Sequence, residues 1–110
     1  MTPRGGSAHV VVSLDEAGRS VSISGWVAAS TVGEVRQVLM AAAENGTGDL
    51  VVDLGGVERI DASGLGVLVG AHRLAMRQDR RLVLRSVPTR IERILAATRL
   101  NRVLTVEAAG

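Results

Sequence analysis

The chain has 110 residues, of which 46% are hydrophobic and 22% charged, with one tryptophan as its only aromatic residue and no cysteine. That size admits one ordinary domain with one core, and the composition excludes a disordered chain, disulfides, thiolate catalysis and cysteine-based zinc sites. All the basic residues are arginine and the formal net charge is +2; charges of both signs alternate, so a nucleic-acid stripe is not supported, and the high isoelectric point reflects the pKa of arginine.

Residues 1–8 form a Gly/Ser/Pro-containing leader, expected to be flexible, ahead of a single domain over residues 9–110. The opening stretch MTPRGGSAHVVVSL carries no apolar block of signal-peptide length. The longest apolar run, Gly64 to Ala71, stops at His72-Arg73, far short of the ~20 residues that cross a bilayer. These features predict a soluble, cytoplasmic protein without a membrane partner.

In chain order, His9 to Leu14 and Arg19 to Ser24 read as strands flanking the turn Asp15-Glu16-Ala17-Gly18. Val21 and Ile23 alternate with Ser20, Ser22 and Ser24, the period-two pattern of a half-exposed strand, and the two runs make a hairpin. Gly25 to Ser30 is expected to be a loop. Thr31-Val32-Gly33-Glu34 has capping-box spacing, Val32, Val35, Leu39 and Ala42 repeat at helical spacing, and Asn45-Gly46 ends that helix.

Leu50 to Leu54 is an apolar, largely β-branched run of the kind buried on both faces, and Gly55-Gly56 is expected to turn the chain out of it. Ile60-Asp61-Ala62-Ser63-Gly64-Leu65-Gly66 then opens an apolar helical pattern that lasts to Met76. Arg80-Arg81 fits a solvated turn. Arg81 to Val87 is another strand, and Thr89 to Glu92 spaces a second capping box ahead of Ile91, Ile94, Leu95 and Thr98. Val103 to Glu107 is the last strand.

The order ββαβαβαβ predicts an α/β domain. An opening antiparallel hairpin leads into βαβ-type crossovers, giving a mixed sheet covered by helices.

The joint at Asp61 and Ser63 is the strongest chemical signal. A helix start exposes unpaired N–H groups and the positive end of the dipole, so oxygen-bearing and anionic groups are stabilised there. Asp61 and Ser63 are both capping types, and capping alone explains many such residues. Asp53 and Asp61 are expected in the loop between strand and helix, where a carboxylate caps, orients a hydroxyl or holds a metal.

Enzymatic patterns fail on spacing. The third glycine of Gly64-Leu65-Gly66-Val67-Leu68-Val69-Gly70 is one place late for a dinucleotide fingerprint, no P-loop GK[ST] follows any glycine loop, and Asp61 and Leu65 stand where a nucleophile elbow needs glycines. His72 follows Ser63 by nine residues, which at about 100° per residue turns the two side chains to opposite sides of one helix. His72 therefore cannot act as the base for Ser63. Two histidines without a carboxylate cluster make no metal site, and neither catalysis nor a cofactor is expected.

The run Val51-Val52-Asp53-Leu54 followed by Ile60-Asp61-Ala62-Ser63-Gly64-Leu65-Gly66-Val67-Leu68 resembles the STAS domain family, and within it the small bacterial anti-sigma factor antagonists. The resemblance spans nearly the whole chain and implies the same mixed sheet. It also implies a function: binding an anti-sigma factor that is itself a serine kinase, freeing its sigma factor, and being switched off when Ser63 is phosphorylated. A serine phosphatase would reset the switch.

The partner surface implied is Asp61, Ala62, Ser63, Gly64, Leu65 and Gly66, with the glycines allowing close approach and Leu65 giving an apolar contact. Trp26 departs from the pattern, since Gly25-Trp26-Val27-Ala28 stands where these antagonists usually carry acidic residues. It serves either as an anchor for a partner or to close the open end of the sheet. Two rivals stay open: an unphosphorylated STAS scaffold subunit of a sensory or transport assembly, and a small nucleotide- or anion-binding module using the same helix start.

Overall fold

The computed structural model describes residues 9–107. It contains β1 (Val10–Leu14), β2 (Ser20–Val27), α1 (Val32–Glu44), β3 (Leu50–Ile60), α2 (Ala62–Arg77), β4 (Leu82–Arg85), α3 (Thr89–Ala97), a 3-10 turn (Leu100–Arg102) and β5 (Thr105–Val106). The five strands lie in sequence order across one sheet, β1 antiparallel to β2 and every later neighbour parallel. The expected α/β architecture is therefore the observed one, and the leader over residues 1–8 lies outside the described residues.

The hairpin closes where Asp15 Oδ1 accepts the N–H groups of Arg19 (2.8 Å) and Ser20 (3.1 Å), with Gly18 at a positive φ of 71° that suits glycine. Alternation then decides which side of the sheet is buried. Val21, Ile23, Leu50, Val52, Leu54, Leu82 and Leu84 are buried, and the register aligns Val21 with Val52, Leu50 with Leu82 and Val52 with Leu84. Helices α1 and α2 pack on each other, α1 against β1 and β2 and α2 against β3 and β4. Leu39 and Leu68 are closed off completely, each such side chain contributing about 1.5–3 kcal/mol by leaving water. The other side of the sheet is more open. There Asp53 lies opposite Arg85, and the guanidinium Nε donates to Asp53 Oδ2 at 3.2 Å.

Several local expectations need correction. Gly25 to Ser30 is not all loop, because β2 continues through Trp26 and Val27, which pair with Arg59 and Ile60. Gly25 is required there by close approach: at φ 93° a Cβ would lie 2.4 Å from the His9 carbonyl oxygen. Gly55-Gly56 does not turn the chain either. Both stay in β3, at a register shift where a Cβ on Gly56 would meet Ser24 Cβ at 2.6 Å. Asp53 accordingly sits inside the strand and not in the loop before α2.

Neither capping box forms: the cap positions ahead of α1 and α3 are Thr31 and Pro88, each without a side-chain cap hydrogen bond. Thr31 Oγ1 instead donates to the Trp26 carbonyl at 2.6 Å and accepts from the Ala28 N–H at 3.1 Å, so it ties the β2–α1 loop together. The fourth strand is shorter than expected, and the last is reduced to a pair of residues behind a 3-10 turn.

Arg80 is not in a solvated turn. It is buried, and its guanidinium donates to the carbonyls of Gly48 (2.9 Å), Ala42 and Ala43 (3.3 Å). The last turn of α1 carries no basic residue of its own. Arg80 supplies that positive charge from just ahead of β4, where the C-terminal carbonyls of a helix favour a cation.

Candidate functional site

The end of β3 delivers the chain directly to α2. Asp61 stands between them in extended backbone (φ −111°, ψ −173°), and its N–H donates to the Val27 carbonyl at 3.1 Å. Its Oδ1 accepts the N–H groups of Ser63 (2.9 Å) and Gly64 (3.1 Å), while its backbone carbonyl takes the Leu65 N–H at 3.0 Å. Asp61 is thus the cap, and Ser63 is the second residue of the helix it caps. The other carboxylate oxygen, Oδ2, accepts the Ala29 N–H at 3.1 Å, which fastens the β2–α1 loop to the start of α2. These bonds, that from Gly64 first, hold the Asp61 carboxyl below its ordinary value of 3.8 by favouring the charged form.

The expected residues divide by exposure. Asp61, Ala62 and Gly66 are exposed, Ser63 and Leu65 are partly so, and Gly64 is buried. Gly64 serves the interior: a Cβ there would lie 2.7 Å from both Ile60 Cγ1 and the Val27 carbonyl oxygen, so its smallness lets α2 seat on the ends of β2 and β3. A Cβ on Gly66 would meet nothing within 4 Å. Leu65 packs part of its side chain against the core. No hydrogen bond to the Ser63 hydroxyl occurs among the described residues, and the segment that carries it is helical from Ala62 onward.

His72 is buried on α2, with Nδ1 unpartnered. Among the described residues no cluster of His, Cys, Asp or Glu of metal-binding size occurs, and no helix is long and apolar enough to cross a membrane.

Trp26 stands beside this helix start. It lines a cleft of about 580 Å³ together with Asp61, Arg59, Arg90, Ile91 and Ile94. Arg59 lies over the indole ring, its guanidinium carbon 4.8 Å from the ring centroid, and Arg90 donates to the Glu58 carbonyl at 2.7 Å. Sequence reasoning singled out Trp26 but neither arginine. Arg90 belongs to α3, and no local pattern in the chain announces that α3 comes to rest against the far end of β3.

Taken together, these features define a small α/β domain that displays one serine at the carboxylate-capped tip of a helix. A family model described as "Mlab, STAS domain" matches residues 10–106. An anti-sigma-B factor antagonist of Staphylococcus aureus is 33% identical over 86 residues, covering 78% of this chain and 80% of the relative. Among solved structures, an anti-sigma factor antagonist from Mycobacterium paratuberculosis superposes with a TM-score of 0.78 at 19% identity, over 98% of this chain and 92% of that one. The anti-sigma factor antagonist SpoIIAA in its unphosphorylated form gives 0.66 at 15% identity, over 93% and 90%. The chain belongs to the STAS domain family.

Proposed function

We propose that this domain is a cytoplasmic anti-sigma factor antagonist that binds an anti-sigma factor through the start of α2 and is switched off by phosphorylation of Ser63. The anti-sigma factor is the serine kinase, its sigma factor is the indirect beneficiary, and a serine phosphatase restores the binding form. Residues 9–110 act as one domain, without catalysis of their own. The observation that carries this reading is a partly exposed serine in the first turn of a helix whose cap is fixed by Asp61. The names of the similar proteins support the partner class.

The electrostatics supply the switch. A phosphate adds about −1.5 to −2 charge. In this helix start the N–H groups of Ser63, Gly64 and Leu65 already bond to Asp61, so the new anion finds few donors at the helix tip and a carboxylate beside it. It is left on the surface, where a partner that covers Ser63 must desolvate it. A penalty of about 1.4 kcal/mol weakens binding tenfold, and like-charge contacts at an interface readily exceed that.

The same occupancy disfavours the rival of a free anion-binding module, since the donors such an anion needs are taken. A constitutive STAS scaffold separates from the switch by its indifference to ATP. Incubation with ATP and the cognate anti-sigma factor is expected to add one phosphate, abolished in Ser63→Ala. A phosphate on any other residue overturns the assignment.

A further inference from the structure

The two edges of the sheet are built differently. β5 is only the pair Thr105–Val106, and so short an edge gives a neighbour little to bond. β1 runs from Val10 to Leu14 with no charged residue, no proline and no bulge in its pairing with β2. Within the strand itself none of the usual devices that blunt an open edge is present. Its Val11 and Leu14 are 59% and 48% exposed.

The ladder fixes which backbone groups of β1 are free. The Trp26 N–H donates to the His9 carbonyl and the Asp15 N–H to the Ser20 carbonyl, so His9, Val11, Ser13 and Asp15 turn their backbone groups toward β2. Val10, Val12 and Leu14 turn theirs outward, where they meet no backbone partner among the described residues.

This edge is complementary to a second copy of itself. In an antiparallel pairing centred on Val12, that residue faces its own copy and Val10 faces the partner's Leu14. Each such pair exchanges both N–H···O bonds, and on the helix side of the sheet apolar side chains meet apolar ones. On the other side Val11 faces the partner's Ser13, and His9 faces the partner's Asp15. These are non-hydrogen-bonded pairs, whose side chains come closest. Asp15 Oδ1 takes the N–H groups of Arg19 and Ser20, while Oδ2 has no partner among the described residues. A carboxylate oxygen therefore stands ready for an imidazole N–H at both ends of the pairing.

We propose that this chain forms a two-fold dimer in which β1 pairs antiparallel with β1 of a second copy, joining the two sheets into one. The pairing uses no residue of the joint at Asp61 and Ser63, so the dimer carries that joint twice. One short strand buries less than the about 800 Å² per partner of a stable complex. The dimer is accordingly weak and fills only at high concentration.

Sedimentation equilibrium of the full-length chain from about 10 μM to about 1 mM is expected to show the mean mass climbing from monomer toward dimer. Val12→Pro is expected to stay monomeric throughout with an unchanged circular dichroism spectrum, because the N–H it removes points away from β2. The chain has no cysteine, so single substitutions at exposed positions report the register. In an equal mixture of Val11→Cys and Ser13→Cys, oxidised at high concentration and read by mass spectrometry, the mixed disulfide is expected to outnumber either like disulfide about tenfold, against about twofold for random collision.

A wild type that stays monomeric at about 1 mM overturns the proposal. A folded Val12→Pro that dimerises like wild type, or disulfides in the random proportion, also overturns it, since the dimer then uses another face. Should Val12→Pro fail to fold, the disulfide proportion decides alone.

Discussion

Asp61 Oδ2 lies 3.1 Å from the amide nitrogen of Ala29, 32 positions earlier in the chain. Through that bond one carboxylate holds two loops at once: the turn that leads into α1, and the helix start that carries Ser63. Cap and tether are the same side chain, so its removal acts on both.

Asp61→Ala is therefore expected to lower the Tm by a few degrees and to speed amide exchange at Ala29 as well as at Ser63 and Gly64. An ordinary cap substitution moves only the helix start. Exchange at Ala29 unchanged from wild type would show that the tether contributes nothing.

The same group sets an acid limit. The carboxyl of Asp61 is held below 3.8 in the folded chain, chiefly by the Gly64 N–H, and that of Asp15 likewise by the Ser20 and Arg19 N–H groups. A folded-state value below the unfolded one means that the stabilisation is fully present above pH 3.8 and drains away as pH falls through the folded value. Urea midpoints measured along that acid limb should fall less steeply in the Asp15→Asn, Asp61→Asn double variant than in the wild type, and the two curves should run parallel near neutrality.

Two glycines two positions apart, on different sides of α2, should respond in opposite directions to alanine. Gly64→Ala drives a Cβ to 2.7 Å from Ile60 and Val27, and overpacking of this kind costs about 1–3 kcal/mol. Gly66→Ala meets nothing within 4 Å on an exposed helical position, and it should gain about 0.5–1 kcal/mol from helix propensity. Chemical denaturation of the two variants side by side measures the contrast.

Arg80→Met keeps much of the side-chain bulk but strips the donors from the carbonyls at the end of α1. Leaving buried carbonyls without partners is expected to cost about 2–3 kcal/mol. A loss of under about half a kilocalorie in urea denaturation would mean that water replaces the guanidinium at no penalty.

Binding supplies the functional prediction. Ser63→Asp should weaken anti-sigma factor affinity about tenfold or more, and Ser63→Ala should bind as wild type but resist ATP. Calorimetric titration with and without nucleotide reads both.

Much of this was legible in the chain because the signals are local. The β-branched run at Leu50 to Leu54, the serine alternation from Ser20 to Ser24, and the Asp61-Ala62-Ser63 helix start all declare themselves within a few residues. Glycine is where the reading slipped. A Gly-Gly pair that makes a turn looks the same in sequence as one that admits a neighbouring strand, and the neighbour of Gly56 is Ser24, which only the parallel pairing brings near. Arg80 failed for the same reason. Its partners, Gly48, Ala42 and Ala43, lie more than thirty positions away, and no pattern around Arg80 distinguishes it from the exposed Arg81. Thr31 had the right spacing for a cap, but the carbonyl of Trp26 lay closer to hand and took its hydroxyl.

The bracing of α1 has a kinetic consequence. Its entry loop is pinned by Asp61 and its exit carbonyls by Arg80, so the surface around Ser63 is already shaped before any protein meets it. Little ordering entropy is then left to lose on complex formation, and substitutions on this surface should register as altered dwell times, with encounter rates nearly constant.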